Sequence, residues 1–164
     1  SSAASDVYKR QQYMFGDNIL VAPILNDEGI AEYYVPEGKW TDIITGKVLE
    51  GGKWYKHKCS YFEIPALAKP NSIIAYGNFE RQIEYDYLEG TTFTIYELED
   101  GKSAVCPIYD TEANKVFELT ATRHGNKIEC EYTDTKASFK IAVANTDKAV
   151  EIAPNFSGKV IIEL

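Results

Sequence analysis

The sequence predicts an all-β protein: two small antiparallel β-sandwich domains, preceded by one strand of a different character. Three observations carry this. Short runs rich in β-branched and aromatic residues recur after Asn26, and each is closed by a turn-forming combination such as Pro36-Glu37-Gly38, Thr45-Gly46 or Gly51-Gly52. In the second half Phe93, Ile95 and Glu97 alternate with Thr92, Thr94 and Tyr96, and Val116, Glu118 and Thr120 alternate with Phe117, Leu119 and Ala121, the period of two-faced strands. No sustained helical period appears anywhere. A chain of 164 residues, 45% of them hydrophobic, has the material for two such small cores.

The elements follow in order. Residues 1–11 are small and polar and then read Asp6-Val7-Tyr8-Lys9-Arg10-Gln11. That hexapeptide has the form of a translated sequencing adapter, so 1–11 is expected to be a non-native scar, with the native frame starting upstream. The run Asn18-Ile19-Leu20-Val21-Ala22-Pro23-Ile24-Leu25 is continuously apolar and closed by proline, as in a strand buried on both faces of a parallel sheet or barrel. Nothing downstream supplies the crossovers parallel strands need, so its partners are expected before residue 12. Over 27–78 the β-prone runs are Ala31 to Val35, Trp40 to Ile44, Lys47 to Leu49, Tyr61 to Ile64 and Ser72 to Ala75, a spacing that suits a small sandwich. Over 79–164 a second series comprises Thr92 to Leu98, Ser103 to Ile108, Lys115 to Arg123, Lys127 to Tyr132, Ala137 to Val143 and Lys159 to Ile162. Its turns at Asp100-Gly101 and Gly125-Asn126 are hairpin signals. The polar, tyrosine-rich stretch Tyr76 to Gly90 links the two series.

Charge and cysteine content exclude several function classes. Seventeen basic against twenty-five acidic residues give a formal charge of -8, and the chain has no lysine and arginine cluster of the kind that nucleic-acid or anionic-membrane binding demands. The longest apolar runs fall far short of a transmembrane span of roughly 20 residues. Cys59, Cys106 and Cys130 are odd in number and irregularly spaced, which suggests neither a disulfide framework nor a CxxC metal site. Reduced, buried thiols in a cytoplasmic protein are expected.

Several stretches together resemble glycoside hydrolase family 31. Gln12-Tyr13-Met14-Phe15-Gly16-Asp17-Asn18, Leu20-Val21-Ala22-Pro23 and Tyr34-Val35-Pro36-Glu37-Gly38-Lys39-Trp40-Thr41 resemble the end of that family's catalytic barrel and the sandwich that follows it. Gly51-Gly52-Lys53-Trp54, Pro65 and Pro70-Asn71-Ser72-Ile73-Ile74-Ala75 fit its proximal C-terminal domain. Tyr85-Asp86-Tyr87, Glu89-Gly90-Thr91, Asp100-Gly101 and Ala104-Val105-Cys106 look like the distal domain of its α-xylosidase branch. The resemblance implies that 12–26 ends a truncated (β/α)8 barrel, 27–78 is the proximal sandwich and 79–164 the distal one. It also implies a parent enzyme that hydrolyses terminal non-reducing α-D-xylosyl residues without a cofactor, and a partner in the missing N-terminal barrel. Association of the parent into homo-oligomers stays open.

A retaining glycosidase needs two carboxylates about 5–5.5 Å apart across the scissile bond, and the resemblance places both on earlier barrel strands, one in a Trp-x-Asp-x-Asn-Glu type motif. Here the two tryptophans are followed by Thr41-Asp42 and Tyr55-Lys56, so no catalytic, cofactor-binding or metal-ligating residue is assigned, and the fragment itself is expected to be inactive. Asp17 precedes its strand, at the wrong end for a barrel active site, and is read as structural. Trp40 and Trp54 are aromatics able to stack on sugars, but packing is the favoured reading. His57 and Cys59 would share a strand face, yet two ligands make a poor zinc site. His124 reads as a turn residue. The acidic tyrosine cluster Glu84, Tyr85, Asp86, Tyr87 and Glu89 lacks the calcium-loop spacing and reads as domain packing. Two other readings stay open: a family 31 α-glucosidase fragment, and a stand-alone carbohydrate-binding or structural sandwich module. Against the last stands the exposed apolar strand it would leave at Ile19 to Leu25.

Overall fold

A computed structural model describes residues 12–60, 63–77, 88–154 and 158–164. Every regular element among them is a strand. The chain forms two compact units, Ser1–Pro70 and Asn71–Leu164. The break lies ahead of the boundary expected at residue 78, because the strand Ser72–Tyr76 pairs along Thr92–Tyr96 in the second unit.

The first unit contains β1 (Tyr13–Phe15), β2 (Ile19–Val21), β3 (Ile30–Val35), β4 (Lys39–Asp42), β5 (Val48–Glu50), β6 (Lys53–Lys58) and β7 (Ala66–Ala68). One sheet runs β1-β2-β7-β4-β5 and the other is the β3-β6 pair. The two sheets are linked where β3 leads through Pro36-Glu37-Gly38 into β4, and where β5 leads through Gly51-Gly52 into β6. At this double crossing Gly51 donates its N–H to Gly38 O at 2.7 Å and Gly52 donates to Val35 O at 2.7 Å. A Cβ on Gly51 would lie 1.7 Å from Pro36 O, so only glycine fits. Leu20, Ala31, Tyr33, Val35, Trp40, Leu49, Cys59 and Leu67 form the core between the sheets.

The strand at Ile19–Val21 departs from expectation in its neighbours. Both of its edges are paired within this unit, and both antiparallel: Tyr13 lies opposite Val21, and Ile19 opposite Ala68. Leu20 enters the core while Ile19 and Val21 are half-buried on the other face. A continuously apolar run reports burial of two faces but not the direction of the neighbouring strands, which is why the sequence pointed upstream. The strand expected over Tyr61 to Ile64 is not formed at residues 63 and 64; residues 61 and 62, like 1–11, lie outside the described residues.

The second unit contains β8 (Ser72–Tyr76), β9 (Thr92–Tyr96), β10 (Ser103–Tyr109), β11 (Lys115–His124), β12 (Lys127–Tyr132), β13 (Phe139–Val143), β14 (Ala149–Ile152) and β15 (Lys159–Glu163). Its sheets run β10-β11-β12-β15 and β14-β13-β9-β8. All pairs are antiparallel except β9 with β13, where Thr92 lies opposite Lys140 in parallel register. The alternation seen in the sequence decides the faces: Phe93 and Ile95 point inward from β9, and Phe117, Leu119 and Ala121 from β11. Phe93 and Phe139 of one sheet meet Phe117 and Tyr132 of the other, with ring centroids 5.1 to 5.4 Å apart across the sheets. Burying each such ring contributes roughly 1.5–3 kcal/mol.

Candidate functional site

The residues singled out in the sequence scatter over both units. Asp17 sits exposed in the β1–β2 turn. Trp40 is core, 4% exposed, with its indole N–H donating to Glu37 O at 3.4 Å. Trp54 is instead 54% exposed, on the outer face of β6, where its ring meets the edge of Tyr34 at 5.7 Å; Trp40 is thus a core residue and Trp54 a surface one within this chain. His124 is exposed at the end of β11. Glu89 holds the second sandwich together: its carboxylate accepts the Ser138 N–H at 2.7 Å and the Ser138 hydroxyl at 2.5 Å, pinning the start of β13. Glu84, Tyr85, Asp86 and Tyr87 lie outside the described residues.

His57 and Cys59 do come together with other chemistry-bearing groups. They flank a cavity of about 400 Å³ in the first unit, lined also by Tyr33, Asp42, Ile44 and Glu63. β3 and β6 pair with Ala31 opposite His57 and Tyr33 opposite Tyr55, so Tyr33 and His57 share the inward face. The Tyr33 hydroxyl lies 3.4 Å from His57 Nδ1. Asp42 ends β4: its Oδ1 accepts the N–H groups of Ile44 and Thr45 at 2.8 and 2.9 Å, an Asx-type turn that stops the strand two residues before its expected end. Among the described residues its Oδ2 has no hydrogen-bond partner.

The protonation states follow from position. Burial, and then the Asp42 charge, push the Tyr33 hydroxyl up to about 12. Burial first and the Glu63 charge second raise the Cys59 thiol. The Ser60 N–H, donating to Glu63 Oε2 at 2.8 Å, holds Glu63 below its usual value. Tyr33 and Cys59 are therefore held in their protonated forms and Glu63 in its ionised, accepting form. The cavity offers hydrogen-bond donors and acceptors rather than an activated nucleophile, since a thiolate is what makes cysteine reactive. No group of three or more His, Cys, Asp or Glu among the described residues is placed to hold a metal ion. Sequence reading found His57 and Cys59 but missed Tyr33, Asp42 and Glu63, which lie far apart in the chain and meet only through strand pairing.

Comparison with known proteins separates the two halves. Residues 3–74 match the model of the glycosyl hydrolase family 31 C-terminal domain, a span that takes in residues 3–11, which sequence reading sets aside. Residues 86–164 match the model of the alpha-xylosidase YicI C-terminal domain. The chain is 36% identical over 120 residues to the alpha-xylosidase XylQ of Lactiplantibacillus pentosus, covering 71% of this chain and 16% of that protein. It is 44% identical over 132 residues to an alpha-xylosidase of Emericella nidulans, covering 72% of this chain and 16% of that protein. The chain thus spans about one-sixth of the length of these relatives. Among solved structures, the GH31 dextranase of Flavobacterium johnsoniae complexed with glucose superposes with a TM-score of 0.77 at 16% identity, over 93% of this chain and 26% of that one, a likeness of fold.

Proposed function

Since the chain belongs to glycoside hydrolase family 31, we propose that it is the C-terminal part of an α-xylosidase whose catalytic barrel lies upstream. The observation that carries this is the match of residues 86–164 to an α-xylosidase C-terminal domain, supported by the two α-xylosidase relatives. In the parent, two barrel carboxylates would act as nucleophile and acid/base in a double displacement at the anomeric carbon. The substrate is an oligosaccharide ending in an α-linked xylose, no cofactor takes part, and the enzyme works in the cytoplasm. The 164-residue chain contributes no residue to that chemistry and is inactive alone, its two sandwiches serving as supports for the barrel.

The test is to sequence the source DNA upstream of the Gln12 codon, restore the frame and compare kcat/KM on α-xylosides and α-glucosides. The expected result is a barrel bearing two catalytic aspartates, a preference for the xyloside, and no hydrolysis by the isolated chain. Preference for the glucoside, or hydrolysis by the isolated chain, would overturn the reading.

A further inference from the structure

The cavity of the first unit lies outside any chemistry assigned to the parent, and its lining is specific enough to name a ligand class. Two carboxylates, from Asp42 and Glu63, and an imidazole, from His57, line a space of about 400 Å³, within the range of small-molecule sites. Asp42 Oδ2 and His57 Nε2 lack hydrogen-bond partners among the described residues, whose contacts are to Asp42 Oδ1 and to His57 Nδ1. Beside these polar groups stand Ile44 and Ile64, 64% and 50% exposed.

An apolar protein segment seated here would strip water from two carboxylates without replacing their hydrogen bonds, which is costly. Lys47 and Lys56 line the space as well, so two cationic and two anionic side chains face it and no net charge selects an anion or a cation. A ligand carrying several hydroxyls around a ring with C–H faces satisfies both halves of the lining: the hydroxyls donate to Asp42 and Glu63 and bond His57, and the ring's apolar face covers Ile44 and Ile64. We propose that this cavity is a non-catalytic saccharide-binding site for one or two sugar rings, holding substrate or product near the parent enzyme. The choice of α-xylosyl sugars within that class rests on the proposed function; the site itself rests on the lining.

The test is a calorimetric or ligand-observed NMR titration of the 164-residue chain with xylose, an α-xylosyl disaccharide and glucose. Millimolar binding is expected, weakened at least ten-fold by His57→Ala and by Ile64→Trp, which fills the mouth, and unchanged by Trp54→Ala on the outer face. Circular dichroism would verify that each variant is folded. Binding that is lost in Trp54→Ala but kept in His57→Ala and Ile64→Trp would overturn the proposal and place the sugar on the Tyr34–Trp54 surface. Absence of saccharide binding would overturn it too, leaving the α-xylosidase reading to its own assay. Binding of glucose alone would sustain the cavity as a saccharide site and remove only its α-xylosyl assignment.

Discussion

Trp40 and Trp54 are each preceded by Gly-Lys, yet one is core and the other exposed. The difference lies in register: Trp40 faces inward opposite Leu49, whereas Trp54 lies opposite Tyr34 on the outward face. Because side chains alternate, a single-residue offset exchanges inside for outside, and no local motif records it. The cysteines were more legible, and all three are free and buried. Burial pushes Cys106 up to about 11 and Cys130 up to about 12 from an ordinary 9.0. Folded-state values above the unfolded ones mean stability fully present below pH 9.0 and lost as pH rises toward about 12. Denaturant midpoints should therefore fall steadily across that alkaline window. Cys130 should react with iodoacetamide far more slowly in the folded chain than in the unfolded one, being both fully buried and less ionised there.

At the scale of elements, most strands of the two sandwiches were readable from composition and turn residues, but β1, β6, β7 and β14 were not. β6 reads Lys-Trp-Tyr-Lys-His-Lys, mostly exposed, so its hydrophobic signal is slight; pairing with β3 over six residues makes it a strand. β7 is the three-residue Ala-Leu-Ala, too short to show a period, and still it joins β2 to β4. The double crossing at Pro36-Glu37-Gly38 and Gly51-Gly52 is the most demanding element. Gly51→Ala would drive a methyl into Pro36 O and should destabilise the first unit by about 3 kcal/mol, whereas Gly125→Ala, with open space around its Cβ, should cost less, mainly from its positive φ. Thermal melts of the two variants provide the comparison.

At the scale of the whole molecule, each unit buries a core of its own. Both tryptophans lie in the first, so their fluorescence reports that unit alone. Phe117→Ala, which removes a fully buried ring from the second core, should cost about 3–5 kcal/mol. The expected outcome is a lowered transition by circular dichroism with the tryptophan transition unmoved. Coincident shifts by both probes would mean that the units unfold as one cooperative body. The two-sandwich organisation was legible because turn pairs and alternation are local signals. The place where one unit gives way to the next was not, because the assignment of Ser72–Tyr76 depends on its pairing with Thr92–Tyr96.

The parallel pair of β9 and β13 also bears on how the chain is made. β9 gains its antiparallel neighbour β8 from sequence already synthesised, but its other edge waits for Phe139–Val143. Meanwhile β10, β11 and β12 can zip into a meander from adjacent turns. On the ribosome, then, β10, β11 and β12 can pair as they emerge, while β9 keeps an open backbone edge until Phe139–Val143 appears; β15 adds to β12 later still. Such an edge invites foreign strands until β13 covers it.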